Sequence, residues 1–283
     1  MVSLDLIDLS RLWVAEWVVC GFFAYLVAVS RILALGGRSR VRVLTTGLVC
    51  VGAVVMLSQL RPSPALQIVR EWLPAVYLLQ GYWLCGLFFR RPMLGIERRL
   101  LDADRALFRL MNLTTLLTHG PRVVLEYFEF TYLMVYPLVP ASFAMFLFVG
   151  GRPDTDSFWT AIMVAGYGCY GVFPWTQTRP PRSIERTSHE ALAGLFVRRL
   201  NLFVLHKGSV QVNTFPSGHA AVAIAAALAV STVHAGAGGA FLILAISITI
   251  ATVLGRYHYA VDSLLGVLIG VVSWWIGFRG LAV

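Results

Sequence analysis

Two histidines near the end of the chain are spaced as partners in one site. His219 closes the run 213–219 (Asn-Thr-Phe-Pro-Ser-Gly-His), and His258 lies 39 residues later, four residues before Asp262. On a helix, a carboxylate four residues after a histidine shares its side and can hold its imidazole. One imidazole can serve as a nucleophile and another as a proton donor. We therefore interpret the two histidines as halves of one catalytic site.

The segments between the histidines must bring them together. Residues 220–233 and 240–254 are almost entirely apolar, and a glycine-rich stretch separates them. An α-helix needs about 20 residues to cross the roughly 30 Å hydrocarbon layer of a membrane. The spacing predicts one crossing outward and one back, so both histidines lie at the same membrane face.

A phosphate site is predicted at the start of the first of these crossings. Pro216 suits the first turn of a helix, where its missing N–H costs nothing. The helix N-terminus, with Ser217 and Gly218, forms a natural cradle for an anion. Phosphate is the anion that this arrangement favours.

These residues resemble the motifs of the type 2 phosphatidic acid phosphatase superfamily, which includes lipid phosphatases and lipid phosphotransferases such as the inositol phosphorylceramide synthases. Pro216-Ser-Gly-His219 reproduces the second motif of that family. His258-Tyr-Ala-Val-Asp262 reproduces the His-three-residues-Asp end of the third motif. The resemblance is concentrated in residues 172–266.

The chain departs from the family at two cationic positions. The first motif is a lysine, six residues and then Arg-Pro; Arg179-Pro180 matches its end, but Val172 stands in place of the lysine. The Ser-Arg pair of the third motif falls on Ala251 and Thr252. Two phosphate ligands are thus missing from their usual places, which the phosphotransferase branch often tolerates.

The resemblance implies a mechanism that requires no metal and no cofactor. His258 attacks phosphorus to form a phosphohistidine, and Asp262 orients it. His219 protonates the leaving group and later activates the acceptor. The substrate class that the resemblance implies is a lipid phosphate.

Several basic residues are candidates for holding the phosphate. Arg179 is the best clamp, because a guanidinium pairs with two phosphate oxygens at once. Arg256, two residues before His258, is a candidate replacement for a missing cation, and Arg182 and Lys207 are weaker candidates. The alternative for each arginine is an ordinary role in a loop or at a helix end of a membrane face.

The composition is that of an integral membrane protein. Of the 283 residues, 58% are hydrophobic and 13% are charged, and the mean hydropathy is +0.75. This is too apolar for a soluble domain. The net charge of +9 could indicate nucleic acid as a partner, but the arginines lie in short loops between apolar spans, where membrane orientation explains them. We therefore expect the membrane as a partner and no nucleic acid.

The apolar runs predict an all-α, polytopic membrane bundle that forms a single domain over residues 1–283. About eight crossings are expected, at 12–35, 43–60, 72–89, 123–149, 158–175, 216–233, 239–254 and 258–278. A basic turn at 36–42 links the first two, and Pro137 and Pro140 bend the fourth. Two stretches, 95–117 and 188–205, predict amphipathic helices along the interface, the second with Ser188 as its N-cap.

Two glutamates near the start of the fourth span, Glu126 and Glu129, are expensive in lipid unless they are paired. They are functional candidates, although a pairing with a loop arginine is the favoured interpretation.

Several functions remain open on the residues alone. Hydrolysis is the first expectation, because the glycine-containing Pro-Ser-Gly-His is typical of the phosphatases in the family. The two lost cations leave open a transferase that moves a phospho-head-group to an alcohol. A zinc enzyme would need a further ligand with convincing spacing, and a transporter would need mid-bilayer polar residues and an internal repeat. Neither requirement is evident in the sequence.

The basic residues also predict an orientation. With eight spans, the loops on the active-site face hold 18 of the 23 Lys and Arg residues. The positive-inside rule then puts this face in the cytoplasm and both termini outside a bacterial-type cytoplasmic membrane. Family members more often face the periplasm or the lumen. Arg38, Arg40 and Arg42, which are distant from both motifs, favour the cytoplasmic face.

Overall fold

The computed structural model describes residues 8–150, 154–185 and 192–280. Within these ranges the chain forms α-helices and no strand, which confirms the predicted all-α class. The helices are α1 (Val14–Ile32), α2 (Gly37–Gln59), α3 (Pro64–Gly86), α4 (Leu94–Leu110), α5 (Leu113–His119), α6 (Arg122–Leu133), α7 (Val135–Gly150), α8 (Thr155–Tyr170), α9 (Phe196–Gly208), α10 (Gly218–Val233), α11 (Ala235–Leu254) and α12 (Ala260–Trp275). A π-helical turn, Ile276–Gly280, extends α12.

Four of these helices are long and apolar enough to cross a membrane: α1, α2, α11, and α12 with its π-helical extension. Together, α6 and α7 would make a fifth crossing, bent by 60°. The apolar helix α10 is shorter, at 16 residues. An all-α integral membrane bundle is therefore confirmed, whereas the expected count of about eight crossings is not.

The central helix of the bundle is α10, which packs against α7, α8, α11 and α12. Most of its residues are buried, and alanine is the commonest among them. A helix that is apolar on all sides is buried on all sides. Because alanine side chains are small, the neighbouring helices can approach the α10 backbone closely.

Two glycines bring α12 into backbone contact with α10. A Cβ atom on Gly270 would lie 2.5 Å from the carbonyl oxygen of Ala221 and 3.0 Å from Cβ of Ile224. A Cβ atom on Gly266 would collide with the carbonyl oxygen of Ser217. The spacing of four residues puts both glycines on one face of α12. These contacts fix where α12 begins relative to the start of α10.

Two predicted boundaries are wrong. Residues 36–42, predicted as a turn, mostly begin α2: Gly36 is the N-cap and the three arginines lie in the first turns. A helix can extend past its apolar part because long basic side chains reach the polar interface. The third helix begins at Pro64, since Ser63 caps it and proline suits the first turn.

The fourth predicted span bends before its prolines. The break lies between Leu133 and Val135, and Pro140 lies inside α7. Pro137 has no N–H to donate to the carbonyl of Leu133, so the hydrogen-bond pattern of α6 cannot continue through this turn.

The first amphipathic stretch forms two helices, α4 and α5, which separate at Asn112 with a φ of 53°. The buried side of α4 holds Leu100, Leu101 and Phe108, together with the acids Glu97 and Asp104. A buried carboxylate needs a cation or several donors. This side of α4 is therefore suited to bind basic side chains of neighbouring segments.

The second amphipathic stretch is observed as α9, eight residues later than the predicted start. Ser188, its predicted N-cap, lies outside the described residues. The carboxylate of Glu126 accepts hydrogen bonds from the N–H groups of Phe196 and Val197, at 2.7 and 2.9 Å. An acidic side chain at this end also interacts favourably with the helix dipole.

The close packing of α10 and α12 can be tested with two glycine substitutions. Gly270→Ala should lower the melting temperature in detergent, because the added methyl group forces the two backbones apart at a cost of about 1–3 kcal/mol. Gly52→Ala in α2 is the control, since no atom lies within 4 Å of the added Cβ. Alanine also favours helix by about 1 kcal/mol. Equal melting temperatures for the two variants would contradict the packing argument.

Candidate active site

His219 and His258 lie in direct contact. Nδ1 of His219 is 3.0 Å from Nε2 of His258. Nδ1 of His258 lies 3.1 Å from the carbonyl oxygen of Thr214 and 3.2 Å from Oδ2 of Asp262. A carbonyl oxygen can only accept a hydrogen bond, so the proton of His258 belongs on Nδ1. Its Nε2 is left with a lone pair that accepts from His219.

The surroundings of His258 favour the neutral imidazole. Burial lowers the pKa of His258 to about 3, and the positive charge of Arg182 acts in the same direction. The neutral ring is the form that can act as a nucleophile.

Asp262 connects the two motifs through its backbone as well as its side chain. It lies in the first turn of α12 and is fully buried, and its carbonyl oxygen accepts from the N–H of Ser217 at 3.1 Å. His258 itself precedes Tyr259, the N-cap of α12, so it lies outside the helix that was predicted to carry both residues. The two side chains meet nevertheless.

The start of α10 differs by two residues from the prediction. Ser217 is the N-cap and its hydroxyl accepts from the N–H of Ala220 at 3.3 Å, so Pro216 precedes the helix instead of lying in its first turn. The N–H groups of Gly218 and His219 have no acceptor within the part of the chain that the structure describes. They are two of the unsatisfied donors that begin a helix.

The guanidinium of Arg179 is bound to a carboxylate. Its Nε lies 3.1 Å from Oε1 of Glu97 and its Nη2 lies 2.8 Å from Oε2, while its backbone N–H donates to Oε1 at 2.8 Å. This hydrogen bonding to Glu97 raises the pKa of Arg179. Arg179 does not line the cavity beside the histidines. The structure therefore does not bring this predicted clamp to the site.

Arg256 is also bound to carboxylates. Its buried guanidinium lies 2.6 Å from Asp104 and 2.5 Å from Glu185, and over the ring of Phe108. Its backbone has a φ of 58°. Arg256 is absent from the cavity wall, and its contacts fix the connection between α11 and α12.

A cavity of about 440 Å³ opens beside the two histidines. Its walls come from α3, α6, α7, α8, α9, the start of α10, the segment that follows α8 and the segments that precede α10 and α12. Most of the lining side chains are apolar or aromatic. Among the described residues that line it, Arg182 is the only lysine or arginine. The site thus combines two imidazoles and one guanidinium with a large apolar space.

Sequence analysis missed the contribution of Tyr257, the neighbour of His258. Its ring stacks on Tyr132 with centroids 3.6 Å apart, and its hydroxyl donates to Glu129 at 2.5 Å. Glu129 also binds the buried Arg198 at 3.0 Å. Glu129 is therefore paired with an arginine as expected, but this arginine lies in α9 and not in a loop. A glutamate inside an apolar span was the signal for this network.

Asp104 was also missed. Besides binding Arg256, it accepts from the N–H of Ala260 at 2.7 Å. Its signal was its position in α4, four residues from both Leu100 and Phe108, on the apolar face of an amphipathic helix.

The fold and the site define a membrane-embedded protein in which a buried histidine, His258, and a partly buried one, His219, lie beside a largely apolar cavity. The family model described as PAP2 superfamily matches residues 98–276, more than half of the chain, and the protein belongs to this superfamily. Membership confirms the resemblance and supports a phosphatase- or phosphotransferase-type activity. The match begins at α4 and so covers more of the chain than the motifs do.

No curated protein and no solved structure matches the chain. Within the described residues, no group of three or more His, Cys, Asp or Glu side chains could hold a metal ion. The zinc alternative therefore gains no ligand set from these residues.

The role of Asp262 can be tested with its amide. Asp262→Asn keeps the shape but can donate to Nδ1 of His258, which favours the tautomer with the proton on Nε2. We expect kcat to fall at least about 10²-fold with little change in KM. Steady-state kinetics on a lipid phosphate would measure both constants. An unchanged kcat would contradict the assigned tautomer.

Proposed function

We propose that the protein is a lipid-phosphate phosphatase that acts through a phosphohistidine. The observation that carries the proposal is the lone pair on Nε2 of His258, which faces Nδ1 of His219 at 3.0 Å while Asp262 and the Thr214 carbonyl hold the opposite nitrogen. A neutral, oriented imidazole next to a proton donor is the pair that nucleophilic catalysis on phosphorus requires.

The reaction has two balanced steps. Nε2 of His258 forms a bond to phosphorus as the bond to the leaving oxygen breaks, and that oxygen takes a proton from the imidazolium form of His219, which becomes neutral. Water then attacks the phosphohistidine and gives its proton to His219, so phosphate leaves and His258 is restored. Because the rings of His219 and His258 are in contact, they must move apart when the phosphoryl group binds between them.

The cavity supports a lipid substrate. Its largely apolar walls can bury a hydrocarbon chain, at about 25 cal/mol per Å² of apolar surface removed from water. Leu79, Trp83 and Tyr136 of its wall are 48%, 44% and 38% exposed. A lipid could therefore remain partly in the bilayer while its phosphate reaches the histidines.

The start of α10 supports the proposed phosphate cradle. The N–H groups of Gly218 and His219 are available to phosphate oxygens, whereas the Ser217 hydroxyl already caps the helix. The predictions for Arg179 and Arg256 remain predictions. Either guanidinium would have to leave a carboxylate partner before it could bind phosphate.

A transferase is the second candidate, since a single Lys or Arg among the described residues lines the cavity. This agrees with the loss of two motif cations in the sequence. In that case an alcohol would replace water in the second step, and the phospho-head-group would move to it.

Purified protein in mixed micelles with phosphatidic acid tests this proposal. Wild-type protein should release inorganic phosphate, with and without an added alcohol, and EDTA should have no effect. His258→Ala should abolish turnover, because no other residue is assigned as the nucleophile. His219→Ala should lower kcat at least about 10²-fold, the usual contribution of general acid catalysis.

The controls separate the alternatives. Phosphate that appears in a product only when the alcohol is present favours the transferase. Full activity of His258→Ala would overturn the phosphohistidine mechanism, and activity that EDTA removes and zinc restores would favour a metal enzyme.

We also propose that the active-site end of the bundle faces the cytoplasm, because the loops at that end carry most of the Lys and Arg residues in the sequence. Residue 283 would then lie outside. A reporter that works only in the periplasm, fused after Val283, should be active. A second fusion at the same position, to a reporter that folds only in the cytoplasm, should be silent, and the reverse pattern would overturn this orientation.

A further inference from the structure

Among the described residues, Arg182 is the lysine or arginine that lines the cavity. It lies in a short 3-10 turn, Pro181–Ser183, that follows the Arg179-Pro180 motif. Its backbone N–H donates to the carbonyl oxygen of Arg256 at 2.9 Å, which ties this turn to the segment that carries His258. Its side chain lines the same cavity as both histidines.

The side-chain contacts of Arg182 are with neutral groups. Its Nη2 lies 3.3 Å from Oε1 of Gln211, and its guanidinium lies 5.3 Å from the ring centre of Tyr257. No carboxylate of the described residues forms an ion pair with it. A partly buried charge without a counter-charge is unfavourable, so a site of this kind is suited to an anion from outside.

The neighbouring arginines differ from Arg182 in this respect. Glu97 binds Arg179, and Asp104 and Glu185 bind Arg256. Burial lowers the pKa of Arg182, whereas the hydrogen bonds to Glu97 raise the pKa of Arg179. A guanidinium nevertheless stays protonated in a protein, so the charge of Arg182 remains in the cavity.

We propose that Arg182 is the residue that binds the substrate phosphate, in the role that the motif predicts for Arg179. Its fork can pair with two phosphate oxygens while the N–H groups that begin α10 contact others. Arg256 then acts on Arg182 indirectly, since its backbone carbonyl positions the turn. The identity of the anion rests on the proposed function, but the anion site itself rests on the geometry.

Binding of inorganic phosphate tests the site without turnover. The melting temperature of the purified full chain would be measured against phosphate concentration, because a ligand that binds the folded state raises it. Wild-type protein should show a phosphate-dependent rise. In Arg182→Gln the apparent Kd should increase at least about tenfold, as expected when charged hydrogen bonds are lost. Arg199→Gln, which removes an exposed arginine of α9, should behave as wild type.

Kinetics on phosphatidic acid provides the second readout. Arg182→Gln should lower kcat/KM at least about 10²-fold, because the clamp stabilises the charge of the transition state. Arg182→Lys should recover only part of the loss, since an ammonium cannot form the bidentate pair. If Arg182→Gln is unstable without phosphate, Arg182→Lys is measured in its place. Its Kd for phosphate and its kcat/KM should then lie between those of the wild-type protein and those expected for Arg182→Gln.

Two results would overturn the assignment. The first is a melting temperature that does not rise with phosphate in the wild-type protein, or one that rises equally in Arg182→Gln. The second is a larger loss of phosphate affinity in Arg179→Gln than in Arg182→Gln. A protein that binds phosphate through Arg182 but releases none from phosphatidic acid would support the clamp while contradicting the phosphatase proposal.

Discussion

The buried guanidinium of Arg256 is the constraint on which the arrangement of the site depends. A charge that is 1% exposed must be compensated, and Asp104 and Glu185 do so from two other parts of the chain. This requirement ties α4, the segment after α8 and the connection between α11 and α12 into one unit. His258 lies two residues from Arg256, so the position of the candidate nucleophile follows from where this ion cluster forms.

The amphipathic helices supply polar contacts to the loop between α11 and α12, which the apolar spans cannot supply. Packing among small apolar side chains brings α10, α11 and α12 together, but it offers few directional contacts for a loop of five residues. The loop contacts come from elsewhere: Asp104 of α4 binds the backbone at Ala260, and Arg198 of α9 donates to the carbonyl of Gly255 at 2.7 Å. Tyr257 is held by Glu129 of α6. Each contact is buried, where a hydrogen bond is electrostatically stronger than in water.

Sequence patterns predicted what depends on local spacing. Two apolar runs of crossing length indicated that His219 and His258 share a face, and the four-residue interval placed Asp262 beside His258. The partners of the arginines depend on contacts far apart in the sequence: Glu97 is 82 residues from Arg179, and Asp104 is 152 residues from Arg256. A motif match cannot indicate which carboxylate forms an ion pair with a given basic residue in the folded protein. The break at Met134 has a local cause, because the missing N–H of Pro137 acts on the previous turn.

These pairings leave a simple balance of charge at the cavity. Three carboxylates neutralise Arg179 and Arg256, and burial favours the neutral form of His258, so Arg182 carries the positive charge that the described lining residues present. In a largely apolar cavity, an electrostatic interaction is less screened than in water. One guanidinium there can therefore replace cations that would be needed in a wetter site. The chain lacks the lysine and the arginine of the family motifs. This loss is compatible with phosphoryl chemistry, provided that no carboxylate of the protein is paired with the remaining guanidinium, that of Arg182.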